Sequence, residues 1–393
     1  MRRKYSIAAF GFLLAAAAAA APCPTVLTEI AGRVAQLRHV PAPFDPPCRL
    51  IKPGELRVEL DRKLRRDLPV APELYLQALA RLGFIDGDPA TTYNHLLTFY
   101  ASQVLGFYEP QADEMVIVDT PAAAHVGDAL VWAHELAHAA QEHRFHLPSR
   151  LLAMKGESDE QRAASAVAEG EAMLVMFLLN AATSGEEQLS AAESAVGLEA
   201  QTLSPPPGVP PFFVADLVFP YTSGFAAALR AYRKGGWFAV DDLLAHPPTS
   251  AAALLHPERS AHPGAVPASE LPSVPRGWEE VLTDTGGEWG LAFLLGRRMT
   301  ADQANAIAAG WDGDRLRLIR NRTHPDVWAL TWRFHCLSVQ TRQALEEAMQ
   351  HHLSELLARL APPGELRLTW ASAGRTLELR AGWPPPARRS PSE

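Results

Sequence analysis

Apolar residues recur at three- and four-residue intervals through most of this chain, so the elements it predicts are mainly amphipathic helices. The first cover residues 25–37, 55–66, 71–82 (ending at Gly83) and 93–105. They predict a helical layer over residues 22–105, entered through a proline-rich, extended lead-in within 22–54 where function is not expected. The period then shortens at Gly106-Phe107-Tyr108-Glu109 and at Met115-Val116-Ile117-Val118, with Pro110 and Asp113 between them. Two β-prone runs around such a turn predict a hairpin.

Helical spacing returns over 128–143, with Asp128 as N-cap and Pro148 barring continuation. Ser158-Asp159-Glu160-Gln161 has the capping-box pattern and opens a helix running to about residue 182. Its apolar stretch, 172–182, is about half the length of a membrane span and reads as a buried core helix. Beyond Gly185 the chain turns polar, then proline-rich, and predicts a long surface excursion. A helix over 224–233 is stopped by Gly235-Gly236, shorter helical pieces fall at 241–245 and 250–255, and 256–277 reads as a linker.

Helices at 285–295 and 300–309, strands at 315–319 and 327–334, a long helix at 339–360 and a closing hairpin (366–370 with 376–380) then predict an α+β module over 276–383. Residues 384–393 are expected to be disordered. The predicted class is α+β throughout, with residues 106–258 as a separate region ahead of that module.

Composition changes this picture in three places. With 48% hydrophobic and 20% charged residues the chain is globular. Its net charge of −8, with no long basic run, excludes nucleic acid as an expected partner. Arg2-Arg3-Lys4 followed by an apolar run from Ile7 to Ala20 reads as a signal peptide over residues 1–21. The expected location is therefore secreted or periplasmic, with no integral membrane span after its removal. Pro22 before Cys23 argues against a lipid anchor. In an oxidising compartment Cys23 and Cys48 have the opportunity to pair, leaving Cys336; three unpaired cysteines are an equal alternative.

Chemistry concentrates at His134-Glu135-Leu136-Ala137-His138. Two imidazoles at i and i+4 leave one helix face a turn apart and reach a single metal ion, while the Glu between them leans into the same cleft. A catalytic zinc takes three protein ligands, so a third must come from elsewhere. The next helix offers Glu169 and Glu171, which point about 200° apart; spacing does not choose between them. Either is otherwise a surface acid. Glu135 suits a general base acting on water.

Glu142, four residues after His138, is either a support for a ligand or a solvated acid. Tyr221 and His256 are candidate donors to an oxyanion, with structural roles as the plainer reading. His125, His143 and His146 read as surface or boundary residues, and Trp237 and Trp311 as core aromatics.

The segments Gly106–Pro110, His134–Glu142 and Glu169-Gly170-Glu171-Ala172 resemble a group of exported bacterial proteins of the Glu-zincin metallopeptidase type. Gly235-Gly236-Trp237, Pro247–Ser250 and His256-Pro257-Glu258 are similar to the same group, and the C-terminal module more weakly so. The resemblance implies a zincin-like catalytic region over residues 106–258 and zinc held by His134, His138 and Glu169, with Glu135 as base. It also implies a peptide or protein substrate lying extended beside an edge strand at 115–118. Met173 stands where such proteins commonly carry an Asp one turn after the ligand Glu. The expected function is an exported zinc metallopeptidase. The alternative is a zincin-fold envelope protein that binds or scaffolds without turnover.

Overall fold

The computed structural model describes residues 25–119, 128–180, 186–202, 204–259, 266–352, 360 and 368–383. The leader, Cys23, His125 and the tail at 384–393 lie outside the described residues. The class is α+β, with one small and one larger sheet.

Helix α1 (Thr25–Arg38) buries Leu27, Ile30, Ala31 and Val34, the i, i+3, i+4, i+7 stripe of an amphipathic helix. The lead-in that follows is not only extended coil: β1 (Cys48–Ile51) pairs in parallel with β3 (Glu114–Val118), Cys48 opposite Met115. Helices α2 (Pro53–Asp67), α3 (Pro72–Leu82) and α4 (Pro89–Gln103) form the expected layer. Gly83 closes α3 in the left-handed conformation, at φ 85°. Strand β2 (Gly106–Glu109) returns antiparallel to β3, Tyr108 opposite Met115, giving a sheet of order β1-β3-β2.

This order corrects the expectation that residues 115–118 form an edge strand. β3 is the central strand, with Met115, Val116 and Ile117 fully buried. The edge strand that packs on the helix carrying His134 and His138 is β2.

Helix α5 (Asp128–Phe145) is enclosed by this sheet, α1 and the long helix α7 (Ser158–Asn180). Trp132, Leu136, Ala137, Ala139 and Ala140 are all buried, which explains why its periodicity is weak in the sequence. Short α6 (Leu147–Ala153) links α5 to α7. The excursion after Gly185 contains two helices that the sequence reading did not predict, α8 (Glu186–Thr202) and α9 (Pro211–Phe219). A π-helical turn, Pro220–Gly224, joins α9 to α10 (Phe225–Ala245). The expected stop at Gly235-Gly236 is a kink, since Gly236 adopts φ 59°, ψ −152° and helix resumes beyond it. The run Pro211–Ala245 is long and apolar enough to cross a membrane, and half of its apolar window is buried inside the fold.

After α11 (Ala252–Leu255) comes the C-terminal unit: β4 (Trp278–Asp284), α12 (Gly287–Gly296), α13 (Ala301–Ala308), β5 (Trp311–Asn321), β6 (Trp328–Cys336), α14 (Val339–His352), β7 (Leu368–Ala373) and β8 (Thr376–Ala381). Its sheet is antiparallel throughout, order β4-β5-β6-β8-β7, around buried Trp311, Trp328, Trp332 and Phe334. The capping box at Thr300 and Gln303 is present. The expected linker is bound to this sheet where it is described: Arg315 donates to Val266 O at 3.0 Å and Arg317 to Pro272 O at 2.6 Å.

The C-terminal unit also grips the start of α7. Asp284 accepts from the Ser158 backbone at 2.8 Å and from its hydroxyl at 2.6 Å, and Arg315 binds Glu157 through both terminal nitrogens. A carboxylate from β4 thus meets orphan donors that the sequence pattern assigned to a local box.

Candidate metal centre

His134 and His138 lie one turn apart on α5, and Glu169 faces them from α7. His134 Nε2 is 3.0 Å from Glu169 Oε2, His138 Nε2 is 3.6 Å from the same oxygen, and the two Nε2 atoms are 3.3 Å apart. Tetrahedral zinc with bonds of about 2.0–2.1 Å sets neighbouring donors about 3.3–3.4 Å apart. The three separations bracket that value, so the donor set fits zinc in both chemistry and spacing.

The tautomer of His138 follows from its neighbour. Gln141 donates from Nε2 to Ala168 O at 2.8 Å and to Glu171 Oε2 at 2.6 Å, which leaves its Oε1 as an acceptor. His138 Nδ1, 3.0 Å away, therefore carries the proton and presents a lone pair at Nε2. Burial opposes charge on His138, but the Glu169 carboxylate outweighs it and favours a second proton, on Nε2, which a metal ion would displace to take that lone pair. Burial likewise opposes ionisation of Glu169, and the two imidazoles overcome it, holding that carboxyl below the usual range.

Glu135, outside the donor cluster, accepts the backbone N–H of Tyr108 at 3.1 Å. Burial pushes its carboxyl above the usual range, against the opposing pull of His134, His138 and that N–H. The contact depends on close packing of α5 on β2: a Cβ at Gly106 would run into the Trp132 ring and Val116 O.

Tyr221 reaches the same place from the π turn. Its ring stacks on that of His134, centroids 6.1 Å apart at 25°, and the negative charge of Glu169, then burial, then Glu135 keep its phenol protonated. Two glycines bring the turn in. A Cβ on Gly170 would overlap the Gly224 carbonyl, and one on Gly224 would overlap Ala166 O, so α7 and the turn cross in backbone contact. π-helical turns of this kind commonly sit at functional sites.

The other candidates stand elsewhere. Glu171 is buried and turned from the ligands: it accepts from Gln141 and from Arg38 Nε. Arg38 continues to Asp241 at 2.6 Å, stacks over Trp237 at 4.0 Å, and Arg144 binds the same Asp241 at 2.6 Å. Glu142 accepts from Ser149 N–H at 2.9 Å and its hydroxyl at 2.7 Å, capping α6 rather than supporting a ligand. His256 pairs with Glu288 on α12 at 2.6 Å, a contact in keeping with the structural role that was its plainer reading. His143 pairs with Asp113 and His146 with Glu142, as boundary residues do.

Met173 is buried among apolar side chains, so support for the ligands comes from Gln141 instead. Sequence reasoning missed Gln141 and Arg38. Gln141 lies three residues after His138, spacing that places it one helical turn away, and that was the available signal.

Among known families, a model described as a domain of unknown function (DUF8575) matches residues 275–377, the C-terminal sheet and its helices. No curated protein and no solved structure matches the chain.

Proposed function

We propose that this chain is an exported zinc metallopeptidase of Glu-zincin type, with a zincin-like arrangement of α5, α7 and the β1-β3-β2 sheet. The observation that carries the reading is the convergence of His134, His138 and Glu169 at zinc-like separations, with the half-buried Glu135 next to His134 on the same helix. A zinc ion held there supplies Lewis acidity, polarising a carbonyl and acidifying water.

Glu135 takes the proton from the attacking water and passes it to the leaving nitrogen, and its raised proton affinity suits both transfers. Tyr221 keeps its phenolic proton and donates to the oxygen that becomes negative. Gln141 holds His138 in its ligating tautomer. The basic-then-apolar segment at Arg2–Ala20 supports export.

The test is metal analysis of the full chain together with cleavage of a diverse peptide library by wild type and Glu135→Gln. The expected result is about one zinc per chain in both, with turnover reduced about 10²–10⁴-fold in the variant. Zinc without cleavage would favour the binding or scaffolding alternative. Equal cleavage by the variant would remove Glu135 from the reaction.

A further inference from the structure

A cavity of about 350 Å³ begins at Glu169 and Tyr221 and follows α7 back past Ser165 and Arg162 to Ser158. The eleven helical steps from Ser158 to Glu169 make this about 16 Å of wall. The facing walls are apolar: Leu64, Leu76 and Leu96 come from the N-terminal helical layer, and Phe213 and Leu217 from α9. The layer that sequence analysis placed outside the catalytic region thus closes a cavity opening on the metal cluster.

The polar groups in this wall are neutral or already matched. Arg162 donates from Nε to Asp216 at 2.9 Å and lies 4.2 Å over the Trp289 ring, so its charge is largely cancelled. Burial raises the phenols of Tyr75 and Tyr100, which stay protonated. A charged guest would lose its water here and meet no free counter-ion: a carboxylate faces Asp216, and an ammonium faces Arg162. Apolar walls with a few fixed polar groups and a volume in this range are what a side-chain-sized ligand requires.

We propose that this cavity is the specificity pocket of the metal centre and takes a large uncharged side chain, aromatic or branched aliphatic, next to the bond being cut. The proposal rests on the metallopeptidase reading above. It assigns selectivity to helices α2–α4 and α9, and chemistry to α5 and α7.

The test uses the full zinc-loaded chain and does not depend on turnover. Calorimetry compares two malonyl hydroxamates differing only in a benzyl or a methyl substituent: the hydroxamate seeks the metal and the substituent reports on the cavity. The benzyl compound is expected to bind about 100-fold more tightly. Leu96→Trp, which fills the cavity from α4, should abolish that preference while leaving zinc content and methyl-compound affinity unchanged. Ser165→Phe fills it from α7 and serves if Leu96→Trp fails to fold. Equal affinities in wild type, or a preference surviving the filling, overturns the proposal. A benzyl preference without cleavage of any library peptide keeps the pocket and overturns the peptidase reading instead. A chain that holds no zinc overturns both.

Discussion

Gln141 Oε1 sits 3.0 Å from His138 Nδ1, and the amide end of the same side chain is clamped between Ala168 O and Glu171. The tautomer of one proposed metal ligand is therefore set by a residue whose two other described hydrogen bonds both go to α7. Gln141→Leu removes the acceptor, and zinc affinity is expected to fall about 10–100-fold. Competition against a chromophoric chelator measures this, with a thermal melt to verify folding. Unchanged affinity in a folded variant would show that His138 needs no such partner.

Tyr221→Phe keeps the ring stacked on His134 and deletes only the hydroxyl. The expected loss is about 10²-fold in kcat with zinc content unchanged. If zinc is lost in the same proportion, the hydroxyl holds the cluster instead of assisting the reaction.

Gly170→Ala drives a methyl group into the Gly224 carbonyl. Destabilisation of about 3 kcal/mol is expected from the forced separation, together with weaker zinc binding. Gly32→Ala on α1 is the control, because nothing lies within 4 Å of its Cβ position. That substitution should stabilise by about 0.5–1 kcal/mol. Urea unfolding of both variants reads the contrast.

Asp159, in the first turn of α7, is buried with Oδ2 unpartnered, and burial pushes its carboxyl up to about 6. A carboxyl raised above its unfolded value favours folding while protonated. That contribution is complete below about pH 4 and lost as pH rises through about 6. Asp159→Asn should flatten stability between pH 4 and 6 and add about 1–3 kcal/mol at pH 7. Denaturant melts at four pH values check both signs. A variant no more stable than wild type at pH 7 would show that the nearby Arg162 already offsets the burial.

Much of the fold was legible because helices announce themselves locally. The start at Thr300, the stop at Gly83 and the strands on either side of Pro110 all follow from nearby residues, whereas the start at Ser158, foreseen from a local box, is capped by the distant Asp284. The same holds for His134, Glu135 and His138, whose relation is fixed by one helical turn. Glu169 was preferred over Glu171 only through a resemblance, since opposed directions on a helix do not reveal which side faces the metal. Strand β1 was hidden because four residues after a proline-rich segment carry no usable period, and its partner lies more than sixty residues on. Tertiary placement decided the rest: nothing local couples Arg38 to Glu171, or His256 to Glu288.

The boundary at residue 275, where the matched family begins, is not a seam in this protein. Asp284 and Arg315 lie beyond it, yet they hold Ser158 and Glu157 at the head of the helix that carries Glu169. A chain shortened there would leave helix donors without their acceptor and strip the cover from Asp159, which packs against Gly287. A region assigned by itself to no activity is thus part of the footing of the His134-His138-Glu169 cluster, and the smallest piece suited to a test of zinc binding extends past the motif proposed to bind it.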